Sequence, residues 1–272
     1  MLPRYKLVAG ALRHLSGWKP DAPDHRDLRM PAPTTALPPK TDLRALCPRV
    51  RDQGQIGACS ANASCESLEF LERKGQADRL FSRLFLYYYA RAADGALPDE
   101  DSGVRIRSAL KVLANIGVPY EDTWPYQSPE TRFSIQPSNS AMQEAAQHKI
   151  LFYYRCSNLL TVKASLAQGF PAVFGFSVPD NMISGRCKND GLVYYPDRHE
   201  GFQGAHSALA VGYDDSLAVG SQRGAVLAQN SWGPNWGQQG YFWLPYAFFV
   251  PTDPDSGSAL ATDCWTIRRA TE

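Results

Sequence analysis

The hydrophobic pattern of the chain changes character near residue 149, and this change limits the folds it can adopt. Before that point, apolar residues recur at spacings of three and four, the period of one helix face. After it, short runs rich in Ile, Phe, Tyr and Val alternate with Gly, Pro and Asp turns, which is typical of strands. A helical half followed by a sheet-forming half predicts an α+β protein with two lobes and a cleft between them.

Individual elements can be assigned within each half. Helices are predicted over 60–74, over the segment SRLFLYYYAR that starts at Ser82, and over 102–116. Strands are predicted over 148–155, 171–178, 192–195, 207–213, 225–230 and 240–244, with a short helix over 161–168. A chain of 272 residues is long enough to bury a large core in two such lobes.

The first 40 residues differ from the rest in charge and in proline content. They hold seven Lys or Arg, three Asp and seven of the 20 prolines, so they carry +4 and residues 41–272 carry −3. Proline at this density excludes helix and central strand. Two arrangements stay open: a disordered leader, or a propeptide-like strap whose positive charge suits the acidic body. Trp18, Met30 and Leu37 could anchor such a strap.

Composition argues against several classes of function. A net charge of +1 does not favour a nucleic-acid partner, and no apolar run is long enough to span a membrane. Arg13, His14 and Ser16 interrupt the apolar patch over 7–12, so we read no Sec signal and expect a cytoplasmic protein or non-Sec export. Six scattered cysteines without a CxxC predict buried small hydrophobes rather than a zinc site. We expect a monomer without metal or cofactor.

Cys59 is the first candidate for chemistry. It follows Gly57 and Ala58 at the predicted start of a helix, in the segment RDQGQIGACSANASCES. Unpaired N–H groups and the helix dipole stabilise an anion at such a position by about 0.3–1 kcal/mol. A neighbouring imidazolium can lower a thiol pKa to about 3–4, which gives a nucleophile at neutral pH. Cys65, on the predicted buried face of the same helix, has no expected chemistry.

His206 is the histidine best placed to serve such a thiol. It enters the apolar run HSALAVGY, 147 positions after Cys59, although a histidine in that setting alone is more often structural. Asn230 opens NSWGPNWGQQGYFWLPY, and its side-chain oxygen can accept from an imidazole and fix its orientation. Gln53, six residues before Cys59, can donate its amide N–H to an oxyanion beside the Cys59 backbone N–H.

These motifs, in this order, resemble those of the papain-type cysteine protease family, especially its bacterial branch. DQGQIGAC, HSALAVGY and NSWGPNWGQQGYFWLPY carry the resemblance, and FSRLFLYYYAR, DSGVRIRSALKVLANIGVPYEDTWPY and VKASLAQGFPAVFGF extend it over most of residues 40–250. The resemblance implies a papain-like fold with a helical left lobe and an antiparallel, barrel-like right lobe around an active-site cleft. The peptidase domain would then span 41–272, with its lobes dividing near residue 148.

The resemblance also implies a role for each site residue. Cys59 would be the nucleophile, His206 its acid–base partner, Asn230 the orienting residue and Gln53 the oxyanion donor. Substrate contacts would come from Ser102, Gly103, Gly175, Ala205 and Trp232. The first two would pair with peptide backbone, Gly175 and Ala205 would border an uncharged specificity pocket, and Trp232 would cover the bond between His206 and Asn230.

The sequence departs from the family pattern at two positions of this segment. Ile56 stands where many relatives have a disulfide cysteine, and Ser60 replaces the usual tryptophan. The expected function is a cysteine endopeptidase acting on peptides or proteins, with the N-terminal segment as an intramolecular inhibitor of the cleft. Two alternatives use the same fold: an inactive binding module, and an acyl transferase.

Overall fold

The computed structural model describes residues 17–183, 185–197, 199–251 and 259–270. The first half is helical, with α1 at Cys59–Lys74, α2 at Arg83–Ala93, α3 at Ile106–Asn115, α4 at Pro129–Arg132 and α5 at Asn139–Ala145. Three short strands also lie there: β1 at Trp18–Lys19, β2 at Lys40–Asp42 and β3 at Val104–Arg105. A helical first lobe is thus confirmed.

The second half is mainly sheet. Its strands are β4 at Ile150–Cys156, β5 at Ala172–Pro179, β6 at Phe202–Val219, β7 at Gln222–Gln229, β8 at Tyr241–Pro245 and β9 at Ala261–Ala270. Its helices are α6 at Leu159–Ala167, α7 at Asp180–Ile183 and α8 at Gly185–Asp190. The strand order is β4-β9-β5-β6-β7-β8, β2 adds to β6, and the described pairings are antiparallel. The predicted α+β, two-lobed fold is confirmed.

The central strands bury side chains on both faces, because each face covers a different core. In β5, Val173 packs into the core shared with α1, α2 and α3, while Phe174 and Phe176 pack into the core of the second lobe. Successive residues of a strand point to opposite faces, so one strand serves both cores. This arrangement fixes β5 and β6 as the wall against which α1 is placed.

The segment 17–40 lies along both lobes as an extended strap. It pairs with β3 through β1, meets β4 where Met30 N–H donates to the Arg155 carbonyl at 2.9 Å, and continues into β2 on β6. The predicted anchors Trp18 and Met30 are buried, and Leu37 is partly buried against the second core. We call residues 17–40 the strap. Residues 1–16 lie outside the described residues.

The ion pairs of the strap differ from those that net charge predicts. We expected basic strap residues to face an acidic body, and Lys40 does pair with Asp214 at 2.9 Å. In the more buried ion pairs the strap supplies the acidic residue and the body supplies the basic one. Asp27 of the strap binds Arg107 at 2.6 Å and Arg155 at 3.2 Å. Net charge could not reveal this, because it says nothing about which individual side chains meet.

The predicted helix over 102–116 is wrong in its first turn. Gly103 has a φ of +67°, which interrupts a helix, and Val104 N–H donates to the Gly17 carbonyl at 3.0 Å. Residues 104–105 are therefore a strand, and α3 begins at Ile106. The cause is a partner 87 positions away in sequence, which local periodicity cannot reveal.

The sheet differs from the predicted one at two further places. Residues 192–195 form only an isolated bridge at Leu192, where the Val193 N–H donates to the Trp243 carbonyl at 3.1 Å. The Leu192 N–H donates to the Asp190 side chain and the Tyr194 N–H to the Asn181 side chain, so these two residues do not extend the pairing. Strand β9 was not predicted at all. This strand contains both polar and apolar residues and lies between β4 and β5 in the sheet.

Two broader findings concern the described part of the chain. All six cysteines are buried, which the sequence predicted for most of them, and all six thiols are free. No helix there has the length and apolar character needed to cross a lipid bilayer.

Candidate active site

Cys59 is the first residue of α1, so its side chain lies beside the unpaired N–H groups of the helix N-terminus. Backbone N–H groups of Ser207 and Ser60 lie near its Sγ atom and favour the charged form of the thiol. Burial outweighs these donors and raises the pKa of the Cys59 thiol to about 12. Cys59 is therefore a neutral thiol at a position equipped to hold an anion.

His206 lies on β6 directly before Ser207, so the strand that contacts the Cys59 sulfur also carries the imidazole. Its Nε2 atom is 2.8 Å from Asn230 Oδ1. The Ser231 backbone N–H donates to the same Oδ1 at 2.8 Å, so that atom acts as the acceptor, and Nε2 carries a proton. The structure thus brings Cys59, His206 and Asn230 together.

Aromatic rings enclose the imidazole. The Trp232 ring centroid is 4.6 Å from that of His206, and Phe176 approaches edge-on at 5.7 Å. His206 and Asn230 are fully buried. Exclusion of water strengthens the hydrogen bond between them and restricts the ring to one orientation.

Gln53 is fully buried and is bonded to the residue that follows Asn230. Its Oε1 atom accepts the Ser231 hydroxyl at 2.5 Å, and its Nε2 atom donates to the Ile56 carbonyl at 2.9 Å. An amide nitrogen has two N–H groups, so one further donor remains for a ligand. The side chain is oriented with its donor end towards the loop that leads into Cys59.

Ser102 and Gly103 are predicted to pair with a peptide backbone, but the strap pairs with the two residues that follow them. Trp18 and Lys19 pair with Val104 and Arg105 in parallel register. Gly103 directs its N–H to the Tyr87 hydroxyl at 3.2 Å, into the protein. Ser102 lies next to it, with its hydroxyl bonded to the Gly103 carbonyl at 3.0 Å.

Gly175 and Ala205 lie on adjacent strands at the wall of the cleft. Gly175 pairs with Ser207, and Ala205 pairs with Ser177 two residues along. The Trp18 indole packs on Gly175 so closely that an added Cβ would lie 2.0 Å from its Cε2 atom. Trp18 of the strap therefore covers Gly175, and the role of Gly175 and Ala205 in a specificity pocket stays a prediction.

Gly17 lies directly over the Cys59 sulfur. A Cβ built on Gly17 would be 2.5 Å from Cys59 Sγ and 2.7 Å from the Gly57 carbonyl oxygen. Only a glycine leaves room for the strap to pass this point. The complete burial of Cys59 therefore depends on a segment that precedes it by 42 positions.

The two departures from the family pattern have visible consequences. Ser60 donates its hydroxyl to the Val104 carbonyl at 3.2 Å, so the small residue connects α1 to β3. Ile56 is buried and offers its carbonyl to Gln53. Position 56 therefore has no thiol that could form a disulfide, and the cysteine nearest to it in sequence is Cys59.

Two site residues escaped the sequence reasoning. Ser231 touches both Gln53 and Asn230, and its place directly after Asn230 in the NSWG motif was the available signal. Gly17 had no local signal, because its role comes from close approach to Cys59. Trp18 was named as an anchor but not as an occupant of the cleft.

The sequence model described as Papain family cysteine protease matches residues 37–247. The chain belongs to the papain family of cysteine proteases. It is therefore a cysteine peptidase, a hydrolase, and has the mixed helix-and-sheet fold of that family.

Individual relatives agree with this assignment. An uncharacterized peptidase C1-like protein of Acanthamoeba polyphaga mimivirus is 33% identical over 232 residues, which covers 81% of this chain and 70% of the viral protein. The crystal structure of xylellain, a cysteine protease from Xylella fastidiosa, is similar with a TM-score of 0.82 and 35% identity, covering 94% of this chain and 97% of that one. Digestive procathepsin L 3 of Tenebrio molitor larval midgut shares the fold at 20% identity, with a TM-score of 0.67 and coverage of 94% and 78%.

Proposed function

We propose that this peptidase is an endopeptidase that works through a thiolate of Cys59 and an imidazolium of His206. The observation that carries the proposal is the buried contact of 2.8 Å between His206 Nε2 and Asn230 Oδ1. With Nε2 engaged, the Nδ1 edge of the ring is the one available to exchange a proton with Cys59. The backbone donors around the sulfur support the charged form once water reaches it.

The reaction proceeds in two halves. Cys59 thiolate attacks the scissile carbonyl carbon, and the resulting oxyanion receives N–H donors from Gln53 and from the Cys59 backbone. Protonated His206 gives its proton to the leaving amine as the C–N bond breaks, which leaves a thioester on Cys59. His206 then removes a proton from water, which attacks the thioester and releases the new carboxylate and the thiol.

Replacement of the nucleophile tests this assignment. We expect Cys59→Ala to abolish hydrolysis of a fluorogenic peptide, and we expect iodoacetamide to silence the unmodified chain by alkylating Cys59. A chain that keeps full activity as Cys59→Ala would disprove the role. Mass analysis of products with an added amine separates hydrolysis from acyl transfer, and absence of any turnover by an opened cleft would favour a binding module.

We further propose that the strap keeps the enzyme latent. Gly17 covers the Cys59 sulfur, Trp18 fills the pocket bordered by Gly175, and both pairing positions of β3 are occupied by β1. Peptide substrate would need the same positions. The solved precursor of a Tenebrio molitor digestive cathepsin shows the same fold in a proform, which is consistent with a zymogen reading.

Weakening the strap at its main anchor tests latency. Trp18 is 5% exposed, and replacing a buried Trp with Ala costs about 3–5 kcal/mol of packing. We expect full-length Trp18→Ala to hydrolyse peptides at least tenfold faster than the unmodified chain. Leu28→Ala is the matched control, since Leu28 lies on the same strap with 59% exposure. Equal activity in all three chains would reject latency and leave the strap a structural element.

The pocket bordered by Gly175 and Ala205 selects an apolar side chain under this proposal. Its wall carries no charged side chain at these two positions, and it already accommodates an indole. A peptide series that varies the side chain before the scissile bond tests this preference. Equal turnover of acidic and aromatic peptides would contradict it.

A further inference from the structure

The loop that carries the nucleophile and the strand that lines the cleft are joined by a single carboxylate. The Gly57 N–H donates to Asp101 Oδ1 at 2.9 Å, and the Tyr87 hydroxyl donates to the same oxygen. The Tyr87 oxygen in turn accepts the Gly103 N–H at 3.2 Å. A continuous chain of hydrogen bonds therefore runs from the residue two before Cys59 to the residue directly before β3.

These hydrogen bonds join two segments that no disulfide connects. Residues 52–57 and 99–105 contain no cysteine, and all six thiols of the chain are free. The segments are nevertheless in close contact, since a Cβ on Gly57 would lie 3.3 Å from both Asp101 Oδ1 and the Gly103 Cα. Their separation is set by packing and by the Asp101 carboxylate.

Side chains of helix α2 hold the loop that carries Asp101. Tyr87 and Arg91 are four residues apart, on one face of the helix, and both are buried. Arg91 Nη1 donates to three carbonyls of the loop before Asp101, those of Leu97, Pro98 and Glu100, at 3.3, 2.8 and 2.8 Å. The residue directly after the helix adds a further contact, because the Asp94 carboxylate accepts the Arg105 N–H at 2.9 Å. The loop is thus held along its whole length.

The Tyr87 hydroxyl has a defined direction in this network. Burial and the Asp101 carboxylate both raise the pKa of Tyr87, so its oxygen keeps the proton and donates it to Asp101. The lone pairs of that oxygen are then free to accept from Gly103. The positions of Gly57 and Gly103 are therefore linked through the Asp101 carboxylate and the Tyr87 hydroxyl.

We propose that Asp101 and Tyr87 are positioning residues that set the distance between Cys59 and the peptide-binding edge β3. The inference rests on the proposed peptidase mechanism, because it concerns how an extended substrate is aligned with the nucleophile. A peptide paired with β3 reaches Cys59 in register only while both segments keep their spacing. Misplacement of about 1 Å in such an alignment can lower a rate about 10²-fold.

Two measurements on one set of full-length variants test this role. Each variant also carries Trp18→Ala, so that an opened cleft gives a measurable rate. Hydrolysis of a peptide with several residues before the scissile bond depends on β3, whereas alkylation of Cys59 by iodoacetamide depends only on the thiolate. We expect Asp101→Ala to lower kcat/KM for the peptide at least tenfold and to change the alkylation rate less than twofold.

The accompanying variants give the matched comparisons. Asp101→Asn keeps one carbonyl oxygen as acceptor and should recover most of kcat/KM. Tyr87→Phe removes the bonds from its hydroxyl to Asp101 and Gly103 but leaves the bond between Gly57 and Asp101. It should therefore lower kcat/KM by less than Asp101→Ala. Glu100→Ala, at the exposed neighbour of Asp101, should behave like the parent, because only the Glu100 backbone carbonyl takes part in the loop.

The outcomes separate this inference from the peptidase assignment. A parent that is alkylated but never hydrolyses peptide would overturn the proposed function itself. An active parent whose kcat/KM is the same in Asp101→Ala and Glu100→Ala would overturn the positioning role alone. Parallel loss of alkylation and peptide hydrolysis, with a lower thermal midpoint, would show general loosening and would also overturn it.

Discussion

Cys59 and Cys65 lie six residues apart on α1 and are equally buried, yet the causes of their burial differ. Burial is the main reason that the thiol pKa is raised in both, to about 12 for Cys59 and well above its ordinary value for Cys65. The strap covers Cys59 through Gly17. Cys65 lies in the packed core, and the charged groups of Glu69 and Arg51 are close enough to affect it.

The two buried thiols differ in what surrounds the sulfur and in what would have to move to expose it. Cys59 has backbone N–H donors from Ser60 and Ser207, whereas burial and the Glu69 charge both raise the pKa of Cys65. Removing the cover of Cys59 requires movement of a strap, while exposing Cys65 requires opening the core. We therefore expect Cys59 to be alkylated faster than Cys65 once the strap is weakened.

The largest expected effect is on the alkylation rates of the two thiols. Loss of the Trp18 side chain removes about 3–5 kcal/mol of packing, and if half of that acts on strap docking, Cys59 is exposed about 10-fold to 10²-fold more often. We expect iodoacetamide to modify Cys59 faster by that factor in full-length Trp18→Ala, with no change at Cys65. Peptide mapping by mass spectrometry measures both sites in one sample.

The Leu28→Ala chain is again the control and should match the unmodified chain at both sites. Simultaneous labelling of Cys59 and Cys65 would contradict the comparison, because it would mean that Trp18→Ala opens the core rather than the cleft.

The second expected effect is on the pH dependence of Cys59 alkylation. The covered state keeps the thiol neutral up to a pKa of about 12, while an uncovered thiol ionises near or below its ordinary value of 9.0. The covered state holds the proton more tightly, so it loses stability relative to the open state as pH rises through and above the lower value. Raising the pH therefore favours release of the strap.

Rate measurements between pH 6 and pH 10 test this sign. In the unmodified chain we expect the alkylation rate of Cys59 to keep rising across the range, by about tenfold per pH unit, since only the thiolate reacts. In Trp18→Ala we expect the rate to level off above the lower pKa of the uncovered thiol. Identical pH profiles in the two chains would show that the strap does not control ionisation of Cys59.

The sequence predicted the central part of the site because those residues belong to short, ordered motifs. Cys59 was identified by its place at a helix start, and His206 and Asn230 by their separation from it and by their apolar surroundings. The structure brings these three together. The helix boundaries at 59–74 and 83–93 also follow from local periodicity and from the Ser82 cap.

What the sequence did not predict depends on contacts between distant segments. Gly17 covers Cys59, and Val104 is a strand residue only because the strap pairs with it. Asp101 was not singled out in the sequence, although its carboxylate accepts the Gly57 N–H from 44 positions away. Local patterns carry no signal for such pairings, since the residues involved are 42 to 87 positions apart.

The smallest expected effect concerns Cys65 itself and completes the comparison. Replacing a fully buried cysteine with alanine removes one sulfur atom from the core of the helical lobe, which we expect to cost roughly 1–2 kcal/mol of unfolding free energy. Because Cys65 has no part in the proposed chemistry, we expect Cys65→Ala in the Trp18→Ala background to keep kcat/KM within twofold. Denaturant unfolding and peptide hydrolysis on the same preparation measure both quantities. A large loss of activity at unchanged stability would mean that the middle of α1 takes part in catalysis, and the distinction drawn between its two cysteines would fail.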